Sequence, residues 1–240
     1  MRELAEQRRR FGYRRLHVLL EREGLVVNHK RTERLYREEG LQLRRRRHKK
    51  RAACIRVPMP QPIRPNQHWS MDFVTDSLWQ GRRFRVLTIV DDFSRECLAT
   101  VVDSSINGLR VSQVLEELGE ARGLPEAITV DNGPEFAGRT LDEWAFRTKV
   151  KLDFIRPGKP VENAYIESFN GKFREECLND GWFKTMPEAR ATIEEWRIDY
   201  NRNRPHSSLE NLTPEAFARR FSMARTATTN SVESFLTTDQ

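Results

Sequence analysis

Hydrophobic residues recur with a helical period at the start of the chain and with a strand period in its middle. In "FGYRRLHVLL", Leu16, Leu19 and Leu20 share one helical face. Gly24 breaks this helix, and Asn28 is placed to cap a second one that carries Leu35 and Tyr36. Two short basic helices joined through a Gly turn fit a helix-turn-helix unit, and they fit an ordinary αα-hairpin equally well. Between Arg44 and Arg51, "RRRRHKKR" offers no apolar side chain to bury. The stretch "VPMPQPIRP" then places four prolines in nine residues, which reads as a stiff, extended linker and a domain boundary.

Past the prolines a period of two takes over. In "HWSMDFV", Trp69, Met71 and Phe73 fall on one face and Ser70, Asp72 and Val74 on the other. "RRFRVLTIVDD" and "ECLATVVD" predict two more strands, so three consecutive strands with short connections make an antiparallel meander. Val111, Val114, Leu115 and Leu118 return to helical spacing, and Gly123 with Pro125 stops that helix. "AITV" predicts a fourth strand, "LDEWAF" a helix and "KLDFI" a fifth strand. A long helix, "AYIESFNGKFREECL", carries Ile166, Phe169 and Phe173 as its buried stripe, and a last one buries Ala189, Ile193, Trp196 and Tyr200. The order predicts an α/β domain, a mixed five-stranded sheet flanked by helices, behind a small all-α N-terminal region. The divisions expected are 1–43 for the helix-turn-helix-like region, 44–61 for the basic and Pro-rich linker and 62–221 for the sheet domain. A Ser/Thr-rich disordered tail is expected over 222–240.

Charge sharpens this division. Residues 1–56 hold 19 Lys and Arg against 7 acids, while the other 184 residues hold 23 against 28. A basic arm on a mildly acidic body points to a nucleic-acid grip attached to something else. The three cysteines are far apart and form no CxxC, which argues against a disulfide framework or a cysteine zinc site and fits a reducing compartment. No long apolar run suggests a membrane span or a signal peptide.

Three acids occupy unusual places. Asp72 lies within a strand between apolar neighbours, where a charge is costly unless it is paired or metal-bound; the plain alternative is a solvated face on an edge strand. Asp131 ends the fourth strand in "TVDNGPEF", where turn chemistry alone would account for it. Glu167 sits about 100° around the long helix from Ile166, at the edge of the buried stripe. Asn163 and Gly171, one turn to either side of it, leave room for a backbone to approach. Asp91 and Asp92 in "VDDFS" read most simply as turn acids.

The spacing of these acids, with 58 residues between the first two and 35 between the second and third, joins a set of longer motifs. These are "FGYRR", "NHKR", "YREEGL", "RPNQHWSMDF", "VDDFSRECL", "DNGPEF", "NAYIESFNGKFREECLN" and "YNRNRPHSSL". From about Phe11 to Phe221 the chain resembles the second-frame product of bacterial insertion-sequence transposases of the IS-three type. It is also similar to the wider group that shares the retroviral-integrase catalytic core. The resemblance implies a ribonuclease-H-like fold. It also implies a catalytic Asp, Asp, Glu triad that maps onto Asp72, Asp131 and Glu167, so that Asp131 is a metal ligand as well as a turn residue.

Three carboxylates suit the chemistry implied, a metal-dependent polynucleotidyl transfer on DNA. Two Mg²⁺ or Mn²⁺ ions take oxygen ligands and clamp the attacking and leaving oxygens of a phosphodiester in line. The implied function is transposition: cleavage at the element's ends, then strand transfer. The alternatives are a nuclease of the same fold that does not join, or a truncated DNA-binding remnant acting as a repressor. Candidate DNA contacts are Arg44, Arg45, Arg46, Arg47, Lys49, Lys50 and Arg51 in the basic run, with Lys159, Lys172 and Arg174 around Glu167. Expected partners are DNA, further copies of the chain on DNA and the upstream helix-turn-helix and leucine-zipper frame product, in a bacterial cytoplasm at the nucleoid. The segment "RPHSSL" is expected to serve packing, because the "EN" after it departs from the usual Gly-Tyr.

Overall fold

The computed structural model describes residues 1–26, 28–43, 61–156 and 163–221. It divides into two units, Met1–Met59 and Pro60–Gln240. The basic run, the first four residues of the Pro-rich segment, the loop holding Lys159 and the expected tail lie outside the described residues.

The first unit is helical, with α1 (Arg2–Gln7), α2 (Tyr13–Arg22) and α3 (His29–Glu38). The Asn28 side chain accepts from the Lys30 backbone N–H at 3.0 Å and caps α3, as its position before a basic helix suggests. Leu16 and Leu20 of α2 and Tyr36 of α3 are buried, and Phe11 joins Leu16 and Tyr36 in a small core. Helix α1 is an addition to the expected pair. Its six residues bury none of their own side chains, so no apolar stripe announces it; Leu4 and Ala5 rest against the small core, and Arg2 pairs with Glu39.

The second unit contains β1 (His68–Ser77), β2 (Arg83–Asp91), β3 (Cys97–Asp103), α4 (Gly108–Arg122), β4 (Ala127–Val130), α5 (Arg139–Thr148), β5 (Lys151–Phe154), α6 (Ala164–Phe173) and α7 (Met186–Arg202). The five strands form one sheet in the order β3-β2-β1-β4-β5. Short turns make β1, β2 and β3 antiparallel, whereas β4 and β5, each reached through a helix, join in parallel. This is the mixed five-stranded sheet that the sequence pattern predicts.

The sheet has a core on each face. Trp69, Met71, Leu87 and Ile89 pack with Val111 and Leu115 of α4 and Leu141 and Trp144 of α5. On the other face Val74 and Val86 pack with Ile166, Phe169 and Phe173 of α6 and Ile193 and Tyr200 of α7. Covering both faces explains why β2 reads as a nearly unbroken apolar run. Helix α7 opens with a reciprocal cap between Thr185 and Glu188. The segment expected to be one long helix to Leu178 instead changes at Arg174 into a five-residue π turn.

Candidate active site

Strand β1 is the middle strand of the five, so Asp72 does not sit on an edge strand. Its partner β4 pairs with it only as far as Ser70 opposite Thr129. Continuing that register two residues sets Asp131, just past the end of β4, beside Asp72 and facing the same side of the sheet. A crevice beyond the C-terminal end of a parallel strand is where open α/β sheets place ligands. Helix α6 covers this face, which brings Glu167 over the same crevice.

Each acid is held by its surroundings. Asp72 Oδ1 accepts from the Phe73 backbone N–H at 2.7 Å, and its Oδ2 accepts from Asn170 Nδ2 at 2.8 Å. The Thr88 hydroxyl lies 3.0 Å from Asn170 Oδ1, which fixes the orientation of that amide. Asp131 Oδ1 accepts from the Gly133 N–H at 2.9 Å, a turn bond that leaves Oδ2 open to other partners. A Cβ on Gly133 would stand 2.9 Å from Asp131 Oδ1 and 3.2 Å from Glu135 Oε2, so a side chain there would have to displace the Asp131 carboxylate. The loop after Asp131 is strapped down by Phe136, fully buried and stacked on Phe73, and by an Arg85–Glu135 ion pair. Arg85 also lies over the Phe73 ring. Glu167 is exposed, and a side chain at Gly171, one turn on, would meet nothing within 4 Å.

The three acids share one electrostatic neighbourhood. Burial pushes the Asp72 carboxyl above the usual carboxylate range, and the negative charges of Asp131 and Glu167 push the same way. The bonds from the Phe73 N–H and Asn170 oppose this without overcoming it. None of the three acids has an ion pair among the described residues. Among those residues, too, no three His, Cys, Asp or Glu side chains stand close enough to hold a metal ion as they are. The donor set is nonetheless the right kind for a hard divalent cation: three carboxylates, no matching charge and open space beyond them.

Asn170 is the residue that sequence reasoning missed. It lies four residues after Ile166, so it is a polar residue on the buried stripe of α6, and it is buried. That mismatch is the signal that could have singled it out.

Asp91 and Asp92 part company. Asp91 is a turn acid, accepting from the N–H groups of Asn66, Phe93 and Ser94. Asp92 is not a solvated turn residue: it is buried, 2.6 Å from His68 Nδ1 and 2.9 Å from the Ser70 hydroxyl. Of the proposed DNA contacts, Lys172 donates to Ser168 at 3.0 Å and Arg174 to the Thr75 carbonyl at 3.3 Å, both on or just after α6. Lys159 and residues 44–51 lie outside the described residues. In "RPHSSL", Arg204 is buried and makes a two-pronged pair with Glu176. Cys97 and Cys177 are buried thiols, and burial pushes Cys177 up to about 12, which suits neither a nucleophile nor a ligand. Among the described residues no helix is long and apolar enough to cross a membrane.

Residues 62–160 and 148–214 each match an "Integrase core domain" family, and residues 1–49 match an "HTH-like domain" family. The chain is 55% identical over 216 residues to an insertion element IS407 protein of Burkholderia multivorans, covering 90% of this chain and 78% of that one. It is 48% identical to an insertion element IS476 protein of Xanthomonas euvesicatoria, over 91% of this chain and 63% of the other. It is 27% identical to InsK of Escherichia coli, described as a putative transposase for insertion sequence element IS150, over 92% and 81% of the two chains. Among solved structures, a chain of the simian T-cell lymphotropic virus intasome superposes with a TM-score of 0.57 at 16% identity, over 71% of this chain and 60% of that one. The HTLV-2 integrase catalytic core domain, in complex with magnesium, gives 0.50 at 16% identity, over 65% and 98%. Identities this low speak for the fold alone.

Proposed function

The chain belongs to the integrase-core family of insertion-element transposases, and from that premise we propose that it cuts DNA at the ends of its element and joins them to a target. Asp72, Asp131 and Glu167 are the proposed catalytic and metal-holding residues. One observation carries this reading: a largely buried carboxylate on the central strand, pushed up first by burial and further by the charges of Asp131 and Glu167, has no ion pair among the described residues. Acids are gathered in this way where a divalent ion supplies the missing charge.

When bound, two Mg²⁺ or Mn²⁺ ions would supply the charge that stabilises the attacking and leaving oxygens of an in-line displacement. The magnesium in the HTLV-2 core structure supports that choice of ion. The protein's own part is positioning. Asn170 and the Phe73 N–H hold the Asp72 carboxylate in one orientation, and the Gly133 N–H and the Arg85–Glu135 strap hold the turn that carries Asp131. Glu167, exposed on α6, would be the third residue to hold the ions. Lys172 and Arg174 lie on the same helix segment, where they can meet the phosphates of a bound end.

The helix-turn-helix-like region over 1–43 and the basic run over 44–51 are the proposed duplex grip, and 62–221 the proposed catalytic domain. Further copies of the chain, and the upstream frame product, are proposed partners on DNA.

The test is an end-cleavage and joining assay on labelled element ends in Mg²⁺ or Mn²⁺. Joined product supports transposition. Cleavage without joining, with joining conditions shown to be adequate, would point to a nuclease, and binding without cleavage to a repressor remnant.

A further inference from the structure

Two tryptophans on the second unit stand out from solvent together. Trp79, in the turn between β1 and β2, is 65% exposed and Trp182, in the segment before α7, is 72% exposed. Their rings meet edge to face with centroids 5.3 Å apart. The pair is built rather than accidental, because the Trp79 backbone N–H donates to the Phe183 carbonyl at 2.8 Å and ties the turn to the segment. Phe183 is itself buried, against Phe84. The cleft beside the pair, lined by Trp79, Gln80, Trp182 and Lys184, has a volume of about 460 Å³, within the ~300–1,000 Å³ of sites that take small ring systems.

The charges around the pair are of one use. Arg82, Arg83 and Lys184 are exposed, and none of their side chains has an ion pair among the described residues. Several other arginines of this unit are matched, as Arg110 is with Glu117, Arg139 with Glu143 and Arg147 with Glu116. The acids nearby include Asp76, Asp180, Glu188 and Glu176, the last paired with Arg204. Asp76 accepts from the Ser77 N–H and Glu188 is taken up in the cap of α7, which leaves Asp180 as the acid with no such bond.

Exposed aromatic faces beside unmatched cations are what unpaired nucleic acid requires: bases stack on the rings while phosphates meet the charges. The position fits as well. Ser77, where β1 ends, is five residues beyond Asp72, or roughly 17 Å along the strand. We propose that Trp79 and Trp182, with Arg82, Arg83 and Lys184, form a stacking site for an unpaired stretch of DNA leading away from the carboxylates. This rests on the reading of the chain as a DNA-cutting enzyme and adds a place where a freed strand is held.

The test uses the full chain and two DNA probes, a blunt duplex and the same duplex with about six unpaired thymidines on either strand, a span of roughly 20 Å at the per-strand charge spacing of DNA. Of the five tryptophans, Trp69 and Trp144 are buried and Trp196 is partly buried against α6, so Trp79 and Trp182 should dominate any change in tryptophan fluorescence on binding. The tailed DNA is expected to quench that fluorescence and to bind more tightly than the blunt one. Trp79→Ala and Trp182→Ala should each weaken tailed binding by about 5- to 100-fold, with blunt binding unchanged. Trp79→Phe should restore most of the loss, because it keeps a ring. Both positions are exposed, and an unchanged melting temperature would show that the variants fold. Tailed binding indifferent to both alanine variants would overturn the proposal while leaving end cleavage intact. Loss of self-association in the same variants, without loss of tailed binding, would also overturn it and make the pair an interface between copies. A chain that neither cuts nor binds DNA would overturn both readings.

Discussion

Asp72, on β1, and Asp92, in the turn after β2, are both at least half-buried and both pushed above the ordinary carboxylate range chiefly by burial. Their company differs. Asp92 faces the His68 imidazole and the Ser70 hydroxyl, so its charge is answered from within the protein. Asp72 faces Asp131 and Glu167, and its charge is aggravated. Burial alone therefore does not mark a functional acid; the sign of its neighbours does. Asp92 fixes the start of β1 to the turn after β2. On the proposed reading, Asp72 belongs to a cluster whose mutual repulsion a bound cation would relieve.

The largest consequence of this contrast is in activity. Asp72→Asn, Asp131→Asn or Glu167→Gln should each reduce end cleavage by on the order of 10³-fold or more, as removal of a main electrostatic group does. Asp92→Asn should leave cleavage per folded molecule close to wild type. Single-turnover assays on labelled ends check this, and a crippled Asp92→Asn alongside an active Asp72→Asn would reverse the assignment.

Stability should show the opposite ranking. Asp92→Ala takes from His68 its nearest partner, leaving Thr129 and the more distant Asp153, and should cost about 3–5 kcal/mol in urea denaturation. Asp72→Asn should cost far less, because it removes a repelled charge.

A third and smaller effect belongs to Asn170, which aims Asp72 without being one of the acids. Asn170→Ala should slow cleavage by roughly 10- to 100-fold, the usual loss when a ligand's supporting hydrogen bond is removed. Its dependence on Mn²⁺ concentration should shift to higher values, a change that a purely structural role would not produce.

The smallest effect is in the titration of His68. Burial lowers its basicity, but the bond and charge of Asp92, with help from Asp153, raise it above the usual imidazole value. A raised histidine contributes stability that is full below about pH 6.5 and is lost as pH rises through its folded value. NMR titration should place His68 above 6.5 in the wild type and below it in Asp92→Asn, where burial acts with less opposition. A His68 value unmoved by Asp92→Asn would remove the pair from the comparison.

How much of this was legible in the sequence depends on the distance over which each feature is encoded. Alternation in "HWSMDFV" exposed Asp72, because a charge among apolar residues breaks a local pattern, and the element order was enough for the mixed sheet. Asp131 was ambiguous by its residues alone, since its bond to Gly133 is ordinary turn chemistry; only the longer motifs imply a second role for it. The His68–Asp92 pair was hidden, because 24 residues separate its members and only the β1–β2 register, with Trp69 opposite Asp91, brings them together. Asn170 was hidden for the opposite reason, as a polar residue inside a buried stripe looks like a flaw until its partner on another element is known. Helix α1 and the π turn at Arg174 carry no apolar period of their own to read.

The most direct test of the shared carboxylate site is calorimetric titration of Mn²⁺ into the full chain with a labelled element end bound, comparing wild type with Asp72→Asn, Asp131→Asn, Glu167→Gln and Asp92→Asn. Wild type and Asp92→Asn should bind the ion alike, and each of the other three should bind at least about tenfold more weakly, as loss of a charged oxygen ligand demands. Binding by Asp72→Asn as tight as wild type, or no binding by wild type at all, would contradict the claim that these three acids hold the metal.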